Sequence, residues 1–253
     1  MVSRAWLRAA RVSAVKRIGI VAALPGELRP LVKGGTRISA GKNIHHWERD
    51  SVQKDGSAVR WIAVCAGIGR DAATRAFAAA EKAAPLDAVL SIGWAGSLRA
   101  EIAPGAALSA SWIIDAKTGE RFELAAEKGC GLITAARIAD AAEKHRLAAA
   151  YPGANIVDME AATIARLASM RGIPAYCFKG VSDAVDDRLP DLNPYVDASG
   201  QFHTVRFVAG IALRPHYWSV LRSFGANSNK AAVLLARDVR KFLKDEAYLR
   251  EYR

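Results

Sequence analysis

The amino-acid sequence predicts a single α/β domain with three layers (α/β/α), in which helices cover both faces of a twisted, mixed and mostly parallel sheet. Apolar segments rich in β-branched residues alternate with segments of helical spacing through the middle of the chain. Glycine-rich turns follow several apolar segments, and ligands of α/β sheets bind at such carboxyl ends of strands. The 253 residues suffice for one large domain, with no evident repeat or linker.

The individual elements follow from apolar spacing and from the residues that interrupt it. Strands are predicted over residues 17–24, 59–65, 88–98, 107–116 and 175–183. Helices are predicted over residues 71–84, 158–172 and 230–243, where good helix formers recur at helical spacing. The less periodic region between the last strand and the last helix, residues 188–229, is predicted to form loops and short helices.

The composition argues against several classes of protein. No apolar segment approaches the roughly 20 residues that a membrane-spanning helix needs. The net charge of +11 permits anionic partners, but the basic residues are spread out and form no recognisable nucleic-acid module. The three cysteines lack metal-ligand or redox spacing, which favours core positions and a reducing, cytoplasmic setting for Cys65, Cys130 and Cys177.

The first 16 residues are predicted to be a basic, alanine-rich extension of a domain that spans residues 17–253. This stretch lacks the apolar region and cleavage site of a signal peptide, although a targeting role stays open as the alternative. The part from about 190 to 253 forms the variable, helical end of the domain in this interpretation.

Two acidic residues that follow predicted strands are candidates for acid–base chemistry. Glu27 comes after a Pro-Gly turn, where a carboxylate can accept a proton or orient water; an exposed loop glutamate is the alternative. Asp183 follows Ser182 at the end of an apolar strand, where partial burial favours a carboxyl group that donates a proton. An ordinary turn aspartate is the alternative there.

The predicted helix 158–172 has a methionine and a carboxylate at its start. Glu160 has the paired acceptor oxygens that suit the vicinal diol of a sugar, although negative charge is favoured in a first helical turn anyway. Met159 offers a soft apolar contact to a flat ligand, with core packing as the alternative.

Two glycine-rich turns are candidate ligand contacts. The turn AGIGR contains Gly67 and Gly69, which let backbone N–H groups approach an anion, but it has neither a Walker A nor a Rossmann pattern. The turn GWAGS contributes Gly93 and Trp94. The five histidines show no metal-ligand spacing, so neither a metal nor another cofactor is predicted.

In chain order, the segments AALPGEL, AGIGRDAA, IGWAGSL, VDMEAATIA and VSDAVDD resemble the purine nucleoside phosphorylase and nucleosidase superfamily. Within it, the layout is most similar to the 5′-methylthioadenosine/S-adenosylhomocysteine nucleosidases. The resemblance covers roughly residues 17 to 190, and the motifs V-D-M-E-A and V-S-D are its most specific parts. It implies a single α/β domain that cleaves an N-glycosidic bond.

The resemblance also implies a role for each matching residue. Asp183 matches the acid that protonates or hydrogen-bonds the purine N7, and Ser182 matches the residue that orients this acid. Glu160 matches the carboxylate that holds the ribose hydroxyls, and Met159 the methionine that packs against sugar and base. Glu27 matches the carboxylate that activates water in the hydrolytic members. An oxocarbenium-like transition state needs groups of these kinds.

The chain departs from the superfamily where its phosphorylases hold phosphate. Ala66 stands where a serine is usual, and Trp94 stands where a small residue is expected. These changes favour hydrolysis, although Arg70 keeps phosphorolysis open, with phosphate as a co-substrate. The segment 133–145 also lacks the aromatic residue that stacks on the purine, which leaves the base and the 5′ group undefined.

The C-terminal part resembles instead the tail of the hopanoid-associated phosphorylase family, which implies a lipid substrate, adenosylhopane. A basic amphipathic helix at 230–243 would suit docking of the protein at an anionic membrane surface, unless its apolar stripe packs on the sheet. The superfamily also implies a homo-oligomer. A nucleoside-binding protein without turnover is the alternative from another functional class.

Overall fold

The computed structural model describes residues 16–39, 43–52 and 58–244. The predicted N-terminal extension lies outside these residues except for Lys16, which begins the first strand. The strands are β1 (Lys16–Ala22), β2 (Thr36–Ser39), β3 (His45–Val52), β4 (Ala58–Cys65), β5 (Ala88–Ser97), β6 (Ala107–Asp115), β7 (Arg121–Glu123), β8 (Cys130–Thr134), β9 (Ala154–Asp158) and β10 (Ala175–Asp183). The helices are α1 (Pro25–Leu28), α2 (Arg70–Glu81), α3 (Ala141–Ala150), α4 (Ala161–Arg171), α5 (Thr204–Ala212) and α6 (Trp218–Lys244).

The strands form one mixed sheet, as predicted, and one side of the sheet curls round on itself. Parallel pairings join β4, β1, β5 and β10. Beyond β10 the order continues through β6, β8 and β9, and β9 returns to pair with β5 in the antiparallel sense. The hairpin of β2 and β3 extends the other side at β4. The strands β5, β10, β6, β8 and β9 therefore form a closed circuit of pairings, which β1, β4, β3 and β2 extend on one side.

Helices cover both faces of the sheet, which confirms the predicted three layers. On one face, Phe77 of α2 and Ile164 of α4 pack against strand residues such as Ile62. On the other face, α6 lies over β10, β6 and β5, and its Leu235 and Val239 belong to a core cluster with Tyr176 of β10. Both sides of the central strands are buried, which explains why these strands are apolar almost throughout.

Several elements were not predicted because their sequences lack a clear apolar pattern. Strands β2 and β3 are largely polar and form the outer hairpin, where little core packing is required. Strand β9 ends at Asp158, so the predicted helix 158–172 is wrong over its first three residues and starts at Ala161. Glu160 is the residue that precedes the helix, rather than part of its first turn.

The last helix is 12 residues longer than predicted at its N-terminal end, since it begins at Trp218 instead of 230. The added stretch contains Gly225 and two asparagines, which lower helix propensity, so tertiary packing decides this boundary. Over 230–243 the apolar stripe is buried on the sheet. That stripe is therefore not free to contact a membrane, and the described residues contain no helix long and apolar enough to cross one.

We expect Phe242→Ala to destabilise the fold by about 3–5 kcal/mol, because it removes a buried ring from the core. Phe242 lies with its ring centroid 4.6 Å from that of Tyr176 and 5.4 Å from that of Phe178. Val233→Ala on the exposed side of the same helix is the control, with an expected change within about 0.5 kcal/mol. Urea denaturation measures both; equal stability of the two variants would contradict this packing.

Candidate active site

A cavity of about 410 Å³ opens at the carboxyl ends of the parallel strands, where the sequence placed the ligand site. Four acidic side chains line it, Asp158 and the three predicted ones, and the predicted set with its flanking residues is Glu27, Trp94, Met159, Glu160, Ser182 and Asp183. The structure therefore brings all the predicted catalytic residues to one cavity. The predicted contacts Gly67, Gly69 and Gly93 are not among the described residues that line the cavity.

Glu27 is buried, and backbone N–H groups hold its carboxylate from two strands. It lies in α1, the single helical turn after β1. Its Oε2 accepts from the N–H groups of Ala23 (2.8 Å) and Leu24 (2.7 Å), and its Oε1 accepts from that of Trp94 (2.8 Å). Burial raises the pKa of Glu27, while these hydrogen bonds oppose the shift. The result is an oriented carboxylate with increased basicity.

Gly93 makes room for this carboxylate. Its φ is +149°, and a Cβ at this position would lie 2.7 Å from Glu27 Oε1. Gly67 meets a similar constraint, because a Cβ there would lie 2.5 Å from the backbone oxygen of Gly200. The packing of the site thus explains why both positions are glycine. Their contact with a substrate stays a prediction.

Glu160 accepts a hydrogen bond from the turn AGIGR, whose backbone N–H groups were predicted to bind an anionic ligand. Gly69 N donates to its Oε1 at 2.6 Å, and Gly69 has a φ of +90°. The pKa of Glu160 is raised to about 8, mainly by burial and also by the nearby charge of Asp158, while the opposite charge of Lys179 limits the increase. Glu160 therefore faces the cavity as a carboxyl group with a strongly displaced ionisation.

Behind Glu160 lies a buried ion pair that the sequence did not reveal. Lys179 Nζ lies 2.8 Å from Asp158 Oδ2, and both side chains are almost fully buried. Asp158 also accepts from Thr134 Oγ1 at 2.7 Å and from the backbone N–H of Ala161 at 2.9 Å. These bonds join β8, β9, α4 and β10 directly beneath the cavity. Charge compensation of this kind is what allows the carboxylate to stay buried.

Asp183 ends β10 at an irregularity in the strand pairing, between Val181 and Asp183. Its Oδ1 accepts from Ser182 Oγ, which also lies 3.2 Å from the backbone oxygen of Ala95. Its Oδ2 accepts from Lys144 Nζ, from helix α3. Ser182 therefore contacts Asp183 as an orienting residue would. Lys144 was missed because a lysine inside a charged helical segment is typical of a solvated face.

Trp94 forms part of the cavity wall and connects it to the last helix. Its indole Nε1 donates to the backbone oxygen of Ser228 in α6 at 2.9 Å. A Cβ on Gly26 would lie 2.9 Å from the indole ring, so glycine is needed for this close approach. The tryptophan is thereby held in place from both sides.

Arg70 is engaged away from the cavity. Its Nη2 lies 3.1 Å from Asp115 Oδ1, and Arg166 Nη2 lies 2.8 Å from Asp115 Oδ2. Asp115 is completely buried; burial acts to raise the pKa of this carboxyl group, but Arg166 and Arg70 lower it overall. Arg70 is not among the described residues that line the cavity.

Apart from Asp158 and the basic side chains of Arg137 and Lys144, the rest of the cavity wall is mostly apolar. Aromatic side chains are present, although segment 133–145 supplies none, as its sequence indicated. Most of the larger apolar side chains come from the C-terminal part, and they include Ile68, Ile138, Leu189, Leu192, Phe202, Phe207, Leu221 and Phe224. No periodic signal in region 188–229 pointed to this role. Apolar and aromatic side chains suit both a flat base and an apolar substituent.

The sequence profile of the phosphorylase superfamily matches residues 17–129 and 107–205. The chain belongs to the phosphorylase superfamily. Membership confirms the expectation of an enzyme that cleaves N-glycosidic bonds. No curated protein matches the chain.

Solved structures with the same fold agree with this membership of the phosphorylase superfamily. The 5′-methylthioadenosine nucleosidase of Arabidopsis thaliana has a TM-score of 0.69 and 18% identity, covering 94% of this chain and 98% of that one. Futalosine hydrolase of Helicobacter pylori has a TM-score of 0.65 and 17% identity, covering 90% and 97%. A methylthioadenosine-bound nucleosidase variant of H. pylori has a TM-score of 0.64 and 17% identity, covering 90% and 98%.

The ionisation of Glu160 predicts a pH-dependent stability. Between its ordinary pKa of 4.5 and its native pKa of about 8, the folded protein holds a proton that the unfolded chain has released. The native state therefore loses stability through this residue as the pH rises across that window. Glutamine cannot titrate. We therefore expect the free energy of unfolding of Glu160→Gln to rise, relative to that of the native protein, by about 1.4 kcal/mol for each unit of increasing pH.

Urea denaturation of both proteins between about pH 5 and pH 8 measures this difference. Titrating groups far from Glu160 are common to both proteins and cancel in the comparison. A stability difference that stays constant over this range would show that Glu160 is ionised in the native state throughout.

Proposed function

We propose that the protein is a nucleosidase that hydrolyses the N-glycosidic bond of a 5′-substituted adenine nucleoside. The observation behind the proposal is that one cavity holds Glu27, Glu160 and Asp183, each with a different set of neighbours. Carboxyl groups in unlike environments can take unlike roles in one reaction.

In the proposed reaction, the bond between the ribose C1′ and the purine N9 breaks, and its electron pair goes to the base. Asp183, oriented by Ser182, transmits a proton to the base at N7. Positive charge develops on the sugar, whose hydroxyl groups donate to Glu160. A water molecule adds its oxygen to C1′ while Glu27 takes the released proton, and burial makes Glu27 a stronger base for this step.

The neighbours of the cavity favour water over phosphate as the nucleophile. Arg70 is paired with the buried Asp115, and Ala66 offers no hydroxyl group. Trp94 and Glu27 occupy the wall on the side where the nucleophile would approach in this scheme. A buried carboxylate there would repel a phosphate dianion. Phosphorolysis remains an outcome of the test below.

The 5′ substituent is proposed to be large and apolar, with adenosylhopane as the specific candidate. Phe202, Phe207, Leu221 and Phe224 supply an apolar wall that exceeds what a small polar ribose needs. Such a surface stabilises a bound hydrocarbon by removing it from water.

Helix α5 supports a further part of the proposal, peripheral contact of a cytoplasmic enzyme with an anionic membrane. Phe207 lines the cavity, while Val205 and Val208 on the same helix are 84% and 58% exposed. Leu213 and Trp218, just after the helix, are 89% and 54% exposed. Exposed basic residues accompany them: Arg206, Arg214 and Arg222. Exposed apolar side chains among arginines suit contact with an anionic lipid surface. We therefore propose this surface, instead of the helix 230–243, as the region that contacts the membrane.

The homo-oligomeric state implied by the resemblance stays a proposal, as does the absence of a cofactor. Among the described residues, no group of three or more histidine, cysteine or acidic side chains is placed to hold a metal ion.

The decisive experiment measures release of free base by the purified protein. Methylthioadenosine, adenosylhomocysteine, adenosine, inosine and a lipid-tailed adenosine are offered with and without phosphate. We expect adenine to be released without phosphate, and Asp183→Asn to lower kcat about 10²–10⁴-fold with little change in KM. Asp186→Asn, at a neighbouring exposed aspartate, is the control and should stay within about threefold.

The other outcomes of this experiment each point to another function. Release that requires phosphate would make the protein a phosphorylase. Binding of nucleosides without any release would make it a nucleoside-binding protein. Equal rates for Asp183→Asn and Asp186→Asn would remove Asp183 from the reaction.

Binding to lipid vesicles tests the membrane contact separately. We expect Val205→Asp and Leu213→Asp each to weaken binding to vesicles rich in phosphatidylglycerol by about tenfold or more, because a carboxylate opposes insertion and anionic lipid alike. Val233→Asp places the same charge at an exposed position 15 residues beyond Trp218 on α6 and should bind like the native protein. Equal binding of all three variants, or no binding by the native protein, would refute the contact.

A further inference from the structure

Lys144 is a buried lysine whose only described polar neighbours belong to the end of β10. Its side chain is 1% exposed, and Nζ donates to Asp183 Oδ2 and to the backbone oxygen of Ala184 (2.6 Å). It reaches this position from α3, a helix that otherwise lies beside the sheet. The same lysine lines the cavity next to Asp183. No motif in the sequence assigns it a role.

Stability alone is a weak reason for such a lysine. Removing an ammonium group from water costs several kcal/mol, and an apolar side chain of similar size is often as stabilising as a buried ion pair. The fold also makes specific room for this pair. A Cβ on Gly96 would lie 2.9 Å from Lys144 Cε and 3.2 Å from Asp183 Oδ2. The second glycine of the turn GWAGS is thus needed to let Lys144 reach Asp183.

The two contacts of Asp183 differ in what they can supply. Both oxygens of Asp183 accept, Oδ1 from Ser182 Oγ and Oδ2 from Lys144 Nζ. An ammonium group can only donate. Lys144 is therefore placed to pass a proton to Asp183 once Asp183 has given one to a base.

We propose that Lys144 is a positioning residue that supplies, through Asp183, the proton taken up by the leaving base. As the C1′–N9 bond breaks, N7 takes a proton from Asp183, and Asp183 takes one from the ammonium group of Lys144. The lysine is left as a neutral amine, which solvent protonates again after the base departs. Glu27 returns to solvent the proton from the attacking water, so the protons balance. This inference rests on the proposed function.

The test compares two substitutions of Lys144. Lys144→Met removes both the charge and the hydrogen bonds, whereas Lys144→Gln keeps a donor for Asp183 but has no proton to supply. We expect kcat for adenine release to fall by about 10²-fold in both variants, with KM within about threefold. A merely structural lysine would instead be replaced well by glutamine, and activity would return in Lys144→Gln.

A double-variant comparison identifies the partner. If Lys144 acts through Asp183, Lys144→Met should slow an Asp183→Asn enzyme by less than about threefold. Lys179→Met is the matched control, because this equally buried lysine pairs with Asp158, and its effect should multiply with that of Asp183→Asn. The double variant lacks both charges of the Lys144–Asp183 pair, so no unpaired charge is left buried. It can therefore be measured even if Lys144→Met alone fails to fold. Circular dichroism and thermal melting check each variant.

Three results would overturn the inference: a folded Lys144→Met enzyme with kcat within threefold of the native value, recovery in Lys144→Gln, or full multiplication of the Lys144 and Asp183 effects. None of these affects the proposed function, which stands as long as the native protein releases adenine and Asp183→Asn slows it. Absence of release by the native protein would instead overturn both.

Discussion

The carboxylate of Glu27 is the point at which the first part of the chain is joined to the centre of the sheet. Its two oxygens accept from three backbone N–H groups, two from Ala23 and Leu24 directly after β1 and one from Trp94 in β5. The bonds require a close approach that only a glycine at position 93 allows, and they orient the carboxylate towards the cavity. Burial of a carboxylate without such donors would cost several kcal/mol of folding free energy. The position of Glu27 in the cavity therefore depends on the position of these strand ends, and they depend on Glu27.

Three acidic groups of the cavity, Glu27, Glu160 and Asp183, are compensated in three different ways. Glu27 accepts hydrogen bonds only from backbone N–H groups. Glu160 accepts from the N–H of Gly69, and burial together with the charge of Asp158 raises its pKa to about 8 against the opposing charge of Lys179. Asp183 has a serine hydroxyl group and a lysine. Equivalent carboxylates thereby become distinct groups at one cavity.

The C-terminal part serves both the core and the cavity. The second half of α6 buries its apolar stripe on the sheet, while Leu221 and Phe224 near its start line the cavity and Ser228 accepts from Trp94. Helix α5 continues the same wall towards solvent. The part of the chain with the least periodic sequence therefore shapes much of the cavity wall. In a superfamily with a common sheet, specificity can change here without altering the reacting groups.

The sequence by itself determined the central strands, two of the main helices and the identity of the acidic residues. This was possible because buried strands are continuously apolar, and because motifs such as V-D-M-E-A and V-S-D lie close to strand ends. It did not determine the curl of the sheet, the outer hairpin or the start of α6, since pairing between distant segments and tertiary packing decide these. The partners of the charged groups also required the tertiary structure. Lys144 lies 39 residues from Asp183 in the sequence, and Arg70 lies 45 residues from Asp115. Only the folded structure therefore shows that Lys144 contacts a residue of the cavity and that Arg70 pairs with a residue outside it.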